Sequence, residues 1–304
     1  MNNFLIIVLG PTGIGKTDIT IEIAKYYKTE IISADSRQIY KEMKIGTAVP
    51  SDEELKQIKH HFIRNKSIQD YYNASMYEFE VLELLEKIFK NKNIVCMTGG
   101  SGLYIDAVCY GIDDIPNVDK HVRKELTNRF KHEGIESLRK ELKYLDPEYY
   151  NKVDLKNPKR ILKALEISIQ TGKPYSSFLT KEKKARDFRI IKIGLEMDRE
   201  VLYERINKRV DKMIEDGLQT EVKKLIIEKD NNALNTVGYK ELFDFLEGGK
   251  SLEEAIELIK RNTRHYARKQ ITWFNRYDDI KWFNPDNIKE IILYINGKIS
   301  SNNS

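Results

Sequence analysis

Phe4-Leu5-Ile6-Ile7-Val8-Leu9-Gly10-Pro11-Thr12-Gly13-Ile14-Gly15-Lys16-Thr17 decides the fold. Its first six residues are apolar without alternation, the pattern of a strand buried on both faces of a parallel sheet. The run stops at Gly10, and Gly10, Pro11, Thr12, Gly13, Ile14, Gly15, Lys16 and Thr17 have the spacing of a phosphate loop: glycine, four residues, then Gly-Lys-Thr. A helical pattern over Lys16 to Tyr26 follows, so the loop has the strand-before, helix-after setting that its chemistry needs. Glycines let successive backbone N–H groups turn towards one anion, Lys16 adds a point charge, the Thr17 hydroxyl can hold Mg2+, and the helix N-terminus adds positive potential. The loop is expected to bind a di- or triphosphate.

Two more short apolar runs repeat the theme. Glu30 to Ala34 ends at Asp35, and Asn93 to Thr98 ends at Gly99-Gly100, with a helical pattern over Met76 to Lys90 between them. Strand and helix alternate, so the fold class is α/β: a phosphate-loop, doubly wound parallel sheet. Ligands of such sheets lie beyond the carboxyl ends of the strands, which places Gly10, Asp35 and Gly99 on one edge. From Pro116 the pattern changes to charged amphipathic helices over Asp119 to His132, Ile135 to Tyr144 and Asn157 to Thr171. Arg189 to Glu196 then resumes a buried-strand pattern, and Leu252 to Tyr277 is the longest helix. The expected organisation is a discontinuous core, 1–115 and 188–304, carrying an all-helical insertion at 116–187. The tail from Ser300 to Ser304 reads as frayed.

The chain has 304 residues, 40% of them hydrophobic and 33% charged, enough to bury a sizeable core. No apolar run has the length of a membrane span, and Met1-Asn2-Asn3 offers no basic leader, so a cytoplasmic location is expected. Cys96 and Cys109 sit in apolar surroundings without zinc or disulfide spacing and read as buried thiols. His60 and His61 follow an amphipathic helix with no third ligand and read as packing or loop residues. The net charge of +5 is unevenly spread: Pro116 to Ile190 holds nineteen Lys and Arg against eleven Asp and Glu, about +8. A local excess of this kind attracts a polyanion.

A phosphate loop alone fits an ATPase or a nucleotide kinase, so other residues must decide. At the end of its strand Asp35 suits either a Mg2+ ligand or a general base, and Arg209 reads as a helix-surface arginine near Asp211 and Glu215. Taken together, the loop, Ala34 to Tyr40, Ile45 to Ala48, Thr98 to Tyr104, Arg205 to Val222, Val237 to Glu241 and Thr263 to Phe274 closely resemble the tRNA dimethylallyltransferase family. The resemblance covers nearly the whole chain and is of the bacterial type, since no Cys or His follows Trp273 to form the zinc finger of eukaryotic members. Two positions depart from the family: Val49 stands where lysine is usual, and Gly13 where alanine is commoner.

The resemblance implies transfer of a dimethylallyl group from its diphosphate to N6 of the adenosine 3′ of the anticodon, position 37, in tRNAs reading codons that begin with U. Asp35 would be the base, and Lys16, Thr17 with Mg2+, and Arg209 would stabilise the departing diphosphate. Asp35, Ser36, Arg37 and Gln38, with Lys159, Arg160, Ile161, Leu162 and Lys163, would contact the anticodon stem-loop. Ser101 and Arg123 would line the route of the flipped base. Lys260, Arg261, Arg264, Arg268, Lys269 and Arg276 crowd one end of the long helix and read as further phosphate contacts. A monomer is expected. The alternatives are a prenyltransferase acting on free adenine nucleotides, a phosphate-loop kinase or ATPase, and a non-catalytic RNA-binding protein.

Overall fold

The structure, a computed structural model, describes residues 3–180 and 182–301. Two compact units result, one from the segments that end at Tyr110 and resume at Ala185, the other from Gly111–Lys184. The first unit begins with β1 (Phe4–Leu9), α1 (Lys16–Tyr26), β2 (Ile31–Ser33), α2 (Asp52–Gln57), β3 (His60–His61), α3 (Ala74–Phe89), β4 (Ile94–Thr98) and α4 (Gly102–Tyr110). The second holds α5 (Lys120–Glu133), α6 (Ile135–Leu145), α7 (Pro147–Tyr150) and α8 (Pro158–Thr171). The first unit resumes with β5 (Arg189–Leu195), α9 (Arg199–Glu215), α10 (Leu218–Lys224), α11 (Tyr239–Leu246), α12 (Leu252–Phe274), β6 (Ile280–Phe283) and α13 (Ile288–Ser301).

All pairings in the sheet are parallel, in the order β3-β2-β4-β1-β5-β6. β1 is central, and each of its six residues is buried, as the unbroken apolar run requires. Each such isoleucine or leucine contributes roughly 1.5–3 kcal/mol on burial. The register sets Val8 opposite Thr98 and Thr98 opposite Ser33, so β1, β4 and β2 end level with one another. Gly10 and Gly99, which follow β1 and β4, and Asp35, which follows β2 after Ala34, therefore share one edge, and Ala34 N–H closes it by donating to Thr98 O at 2.7 Å.

Two strands escape the sequence reading. β6 is an edge strand of four residues with an exposed Lys281, too short and too polar to announce itself. His60 and His61, read as packing or loop residues, form the two-residue edge strand β3 beside β2. His61 Nε2 lies 2.7 Å from Glu30 Oε2, and His60 Nδ1 lies 2.8 Å from Ile58 O. The long helix stops at Phe274, three residues before the expected end. At the other end of the expected fraying, Ser300 and Ser301 continue α13, while 302–304 lie outside the described residues. Cys96 and Cys109 are buried as expected, and burial pushes the Cys109 thiol up to about 12.

The helical unit has its own core, built from Leu126, Leu138, Leu142, Ile161, Leu165 and Tyr175. Asp146 is fully buried yet satisfied: it caps α7 by accepting from Tyr149 N at 2.9 Å and takes Ser176 N at 2.6 Å and Ser176 Oγ at 2.8 Å. Prolines at the first turns of α7 and α8 sit where no helical N–H is needed. Among the described residues no helix is long and apolar enough to cross a membrane.

Candidate active site

The loop after β1 turns into α1 through Gly15, whose φ of 98° lies in the left-handed region that favours glycine. Gly15 offers no side chain to cap α1, so the first-turn amides stay available to an anion. Lys16 Nζ reaches back over the loop and donates to Gly10 O at 2.9 Å and Pro11 O at 2.8 Å. Burial, and next the nearby Arg209 charge, push its ammonium down to about 7, with Asp35 opposing. An anion bound in the loop would favour the charged form of Lys16.

A cavity of about 520 Å3 opens over this loop. Gly13, Gly15, Lys16 and Thr17 form its floor, Asp35, Gly99 and Gly100 a side, and Arg205, Lys208 and Arg209 from α9 face them. Asp18 and Glu54 also reach it, and burial first, then Glu54, raises the Asp18 carboxyl. Val49 contributes to the wall, so where the family's lysine is missing the cavity's cations come from α1 and α9. Among the described residues Arg209 has no ion pair within 4 Å; Asp211, its expected partner, is held by Lys260 at 2.8 Å. Burial lowers the Arg209 pKa, and Asp35 and Glu54 oppose that shift. Of the two readings of Arg209, a paired helix-surface residue or a cation of the site, α9 places it in the lining of the cavity.

Asp35 is fixed by its own turn. Oδ1 accepts from Arg37 N at 2.9 Å and Gln38 N at 3.3 Å, a local arrangement that leaves Oδ2 towards Gly100. Ser101 Oγ accepts from Ser36 N at 2.9 Å and pairs with Ser36 Oγ at 3.0 Å. Gln38 Nε2 donates to Thr47 O at 3.1 Å and Ala48 O at 3.0 Å, and Arg37 Nη1 donates to Asn232 O at 3.0 Å. A second cavity, about 350 Å3, has Ser36, Arg37, Ile206, Val210, Met213 and Val237 in its wall. Thr12, Asp35, Thr47, Arg209 and Tyr266 line both cavities. The two spaces thus meet at one carboxylate and one guanidinium.

Three residues of this architecture carried no role in the sequence reading. Glu221 accepts from Lys44 N (2.9 Å), Ile45 N (2.8 Å), Gly46 N (3.0 Å) and Tyr239 OH (2.7 Å), and so holds the segment that presents Thr47 and Ala48 to Gln38. Tyr266 lines both cavities. Gln270 bridges two site loops, accepting from Thr12 N at 2.8 Å and donating to Gly100 O at 3.0 Å. One signal was available: Gln270 falls in the buried stripe Ala255, Ile259, Ala267, Phe274 of α12, where a polar residue needs partners.

In the helical unit, Arg123 makes a fork-to-fork pair with Glu166, both contacts at 3.0 Å. Lys159 and Arg160 are exposed at the start of α8, Ile161 is fully buried, and Leu162 packs against the core. Lys163 is half-buried, and burial lowers its pKa against the opposing Glu166. Any contact made by side chains of 159–163 with a polyanion runs through Lys159, Arg160 and Lys163. On α12, Lys260 pairs with Asp211 and Glu257 and Arg264 donates to Asn207 Oδ1 at 2.6 Å; Arg276, two residues beyond the end of α12, lies over the Trp273 ring and beside Asp106.

A central parallel strand running into a glycine loop and helix, with a facing aspartate and cationic helix, defines a phosphate-loop protein of the doubly wound α/β class. The sequence profile of the IPP transferase family matches residues 38–277. A tRNA dimethylallyltransferase 1 of Bacteroides fragilis is 52% identical over 295 residues, covering 97% of this chain and 98% of its own. A tRNA dimethylallyltransferase of Christiangramia forsetii is 52% identical over 302 residues, covering 99% and 100%. The crystal structure of the full-length tRNA isopentenylpyrophosphate transferase of Bacillus halodurans aligns with a TM-score of 0.72 at 35% identity, covering 99% of this chain and 98% of its own. A eukaryotic dimethylallyltransferase, solved acting on tRNA, aligns with a TM-score of 0.81 at 25% identity, covering 99% and 80%. The chain belongs to the IPP transferase family.

Proposed function

We propose that this enzyme transfers a dimethylallyl group from dimethylallyl diphosphate to N6 of adenosine 37 in tRNAs reading codons that begin with U. The observation that carries the reading is the meeting of two cavities at Asp35 and Arg209. The first, floored by the phosphate loop, takes the diphosphate. The second, with apolar walls and with Ser36 and Arg37 at its side, takes the flipped adenine, which can reach no buried centre while stacked in an anticodon loop.

Adenine N6 is a weak nucleophile because its lone pair is delocalised into the ring. As N6 bonds to the allylic carbon, that carbon's bond to the diphosphate oxygen breaks, and the N6 proton passes to Asp35 Oδ2, whose partner Oδ1 is already occupied by backbone amides. Charge grows on the departing oxygen and is met by the loop amides, Lys16 and Arg209. Thr17 lines the same cavity, together with the carboxylates of Asp18, Asp35 and Glu54. An all-oxygen donor set of this kind fits Mg2+, which takes few protein ligands and fills its shell from phosphates and water. When bound, the ion neutralises diphosphate charge.

The basic helices of 116–187 are the surface that grips the anticodon stem-loop, with Lys159, Arg160 and Lys163 towards phosphate. A tRNA substrate assigns the work to the cytoplasm. The most exposed large apolar side chains, Ile227, Tyr144 and Leu293, lie on three different elements, which favours a monomer. The test is direct: purified protein, Mg2+, labelled dimethylallyl diphosphate and a UNN-reading tRNA should yield labelled RNA, and AMP should not compete. Label in AMP alone would make it an adenylate prenyltransferase, and transfer of a nucleotide's terminal phosphate would make it a kinase.

A further inference from the structure

Gln270 is a polar side chain buried in the body of the fold, 5% exposed, and both ends of its amide are committed. Oε1 accepts from Thr12 N–H in the phosphate loop, and Nε2 donates to the carbonyl of Gly100. Because one partner can only donate and the other only accept, the amide orientation is fixed by chemistry. A Cβ at Gly100 would collide with Gln270 Nε2, so the bridge requires glycine there.

The bridge joins the two halves of the reaction centre. Thr12 belongs to the loop beneath the diphosphate. Gly100 precedes Ser101, which bonds Ser36, which follows Asp35. Tyr266, one turn earlier on α12, lines both cavities. The Thr12 N–H is also withdrawn from the set of loop amides that can meet a phosphate. We propose that Gln270 is a positioning residue: it sets the separation between the departing diphosphate and the Asp35 carboxylate, and it leaves Gly13 to Thr17 as the anion-binding amides. The inference rests on the prenyl-transfer reading for its kinetic arm and on the phosphate loop alone for its binding arm.

The experiment uses the full chain as wild type, Gln270→Leu and Gln270→Glu. Leucine removes both bonds. Glutamate keeps the acceptor for Thr12 but sets a carboxylate against the Gly100 carbonyl. Single-turnover transfer with both substrates saturating should fall about 10- to 100-fold in each variant, the scale of a misplaced reactant, with tRNA Kd unchanged within about twofold. Two variants transferring within about twofold of wild type would overturn the inference. So would a rate loss matched by an equal loss of tRNA affinity, which would make Gln270 an RNA contact. Affinity for inorganic diphosphate, measured on the same proteins, does not depend on the reaction: it should change at least about threefold in Gln270→Leu, where Thr12 N–H is freed. Wild-type protein that binds diphosphate but transfers no prenyl group would refute the assigned reaction, while unchanged diphosphate affinity in both variants would refute the role of Gln270. If Gln270→Leu melts below assay temperature, the near-isosteric Gln270→Glu decides.

Discussion

Raising the pH of the ligand-free enzyme discharges Lys16 far earlier than an ordinary lysine, because burial and Arg209 hold its pKa at about 7. A bound diphosphate supplies the missing counter-charge and returns the group towards its ordinary value, about 10.4. Affinity then scales with the fraction of free sites already charged. Between pH 7.5 and 9, above the second phosphate ionisation near 6, dimethylallyl diphosphate should bind about 10- to 30-fold more weakly, since each unit above the free pKa costs about tenfold. At pH 7.5 binding should be accompanied by net proton uptake at this site, a fraction of a proton up to about one. Titration calorimetry in two buffers of different ionisation enthalpy reads both quantities, with Lys16→Met as the control that lacks the slope. A Kd flat across this range, with no proton uptake, would refute the placing of Lys16. The same shift fixes the sign of its effect on stability. The unfolded chain binds more protons at Lys16 between about pH 7 and 10.4, so this group's destabilising effect is complete below 7 and is relieved as pH rises through that window.

Arg209→Met should lower the transfer rate by about 10²- to 10³-fold, the scale of losing one donor to a developing oxyanion, with tRNA affinity retained; unchanged rate in a filter assay would return Arg209 to the surface. Thr17→Ala should raise the Mg2+ concentration needed for half-maximal rate, and an unaltered Mg2+ dependence would remove Thr17 from the ion. Arg123→Ala strands the buried Glu166 carboxylate and should destabilise the helical unit by about 1–3 kcal/mol, seen in thermal melting. Adding Glu166→Gln should restore the melting temperature, and any tRNA-affinity defect that persists in the double variant belongs to RNA contact rather than to folding.

The parts of this molecule legible in its sequence are those written in local pattern. Phe4 to Thr17 announced strand, loop and helix together, because continuous burial and the glycine spacing are properties of neighbouring residues. The parallel edge joining Gly10, Asp35 and Gly99 followed from the run of β1, β2 and β4. Arg209 was opaque without the family resemblance, since Asp211 and Glu215 nearby on α9 suggest a solvated pair, and only packing reveals that Lys260 from α12 takes Asp211. Gln270 and Glu221 acquire their roles through partners 258 and about 175 residues distant in sequence, a distance at which no local pattern informs. β3 and β6 are short edges whose pairing comes from β2 and β5 rather than from any apolar periodicity of their own.

The central claim is that a carboxylate removes the exocyclic proton while loop amides and cations hold the leaving group, and single-turnover kinetics of Asp35→Asn measure it most directly. With tRNA and dimethylallyl diphosphate both saturating, the variant should transfer about 10²- to 10⁴-fold more slowly while binding each substrate as wild type does. A variant that transfers at the wild-type rate, or one that loses rate only in proportion to lost tRNA binding, would contradict it.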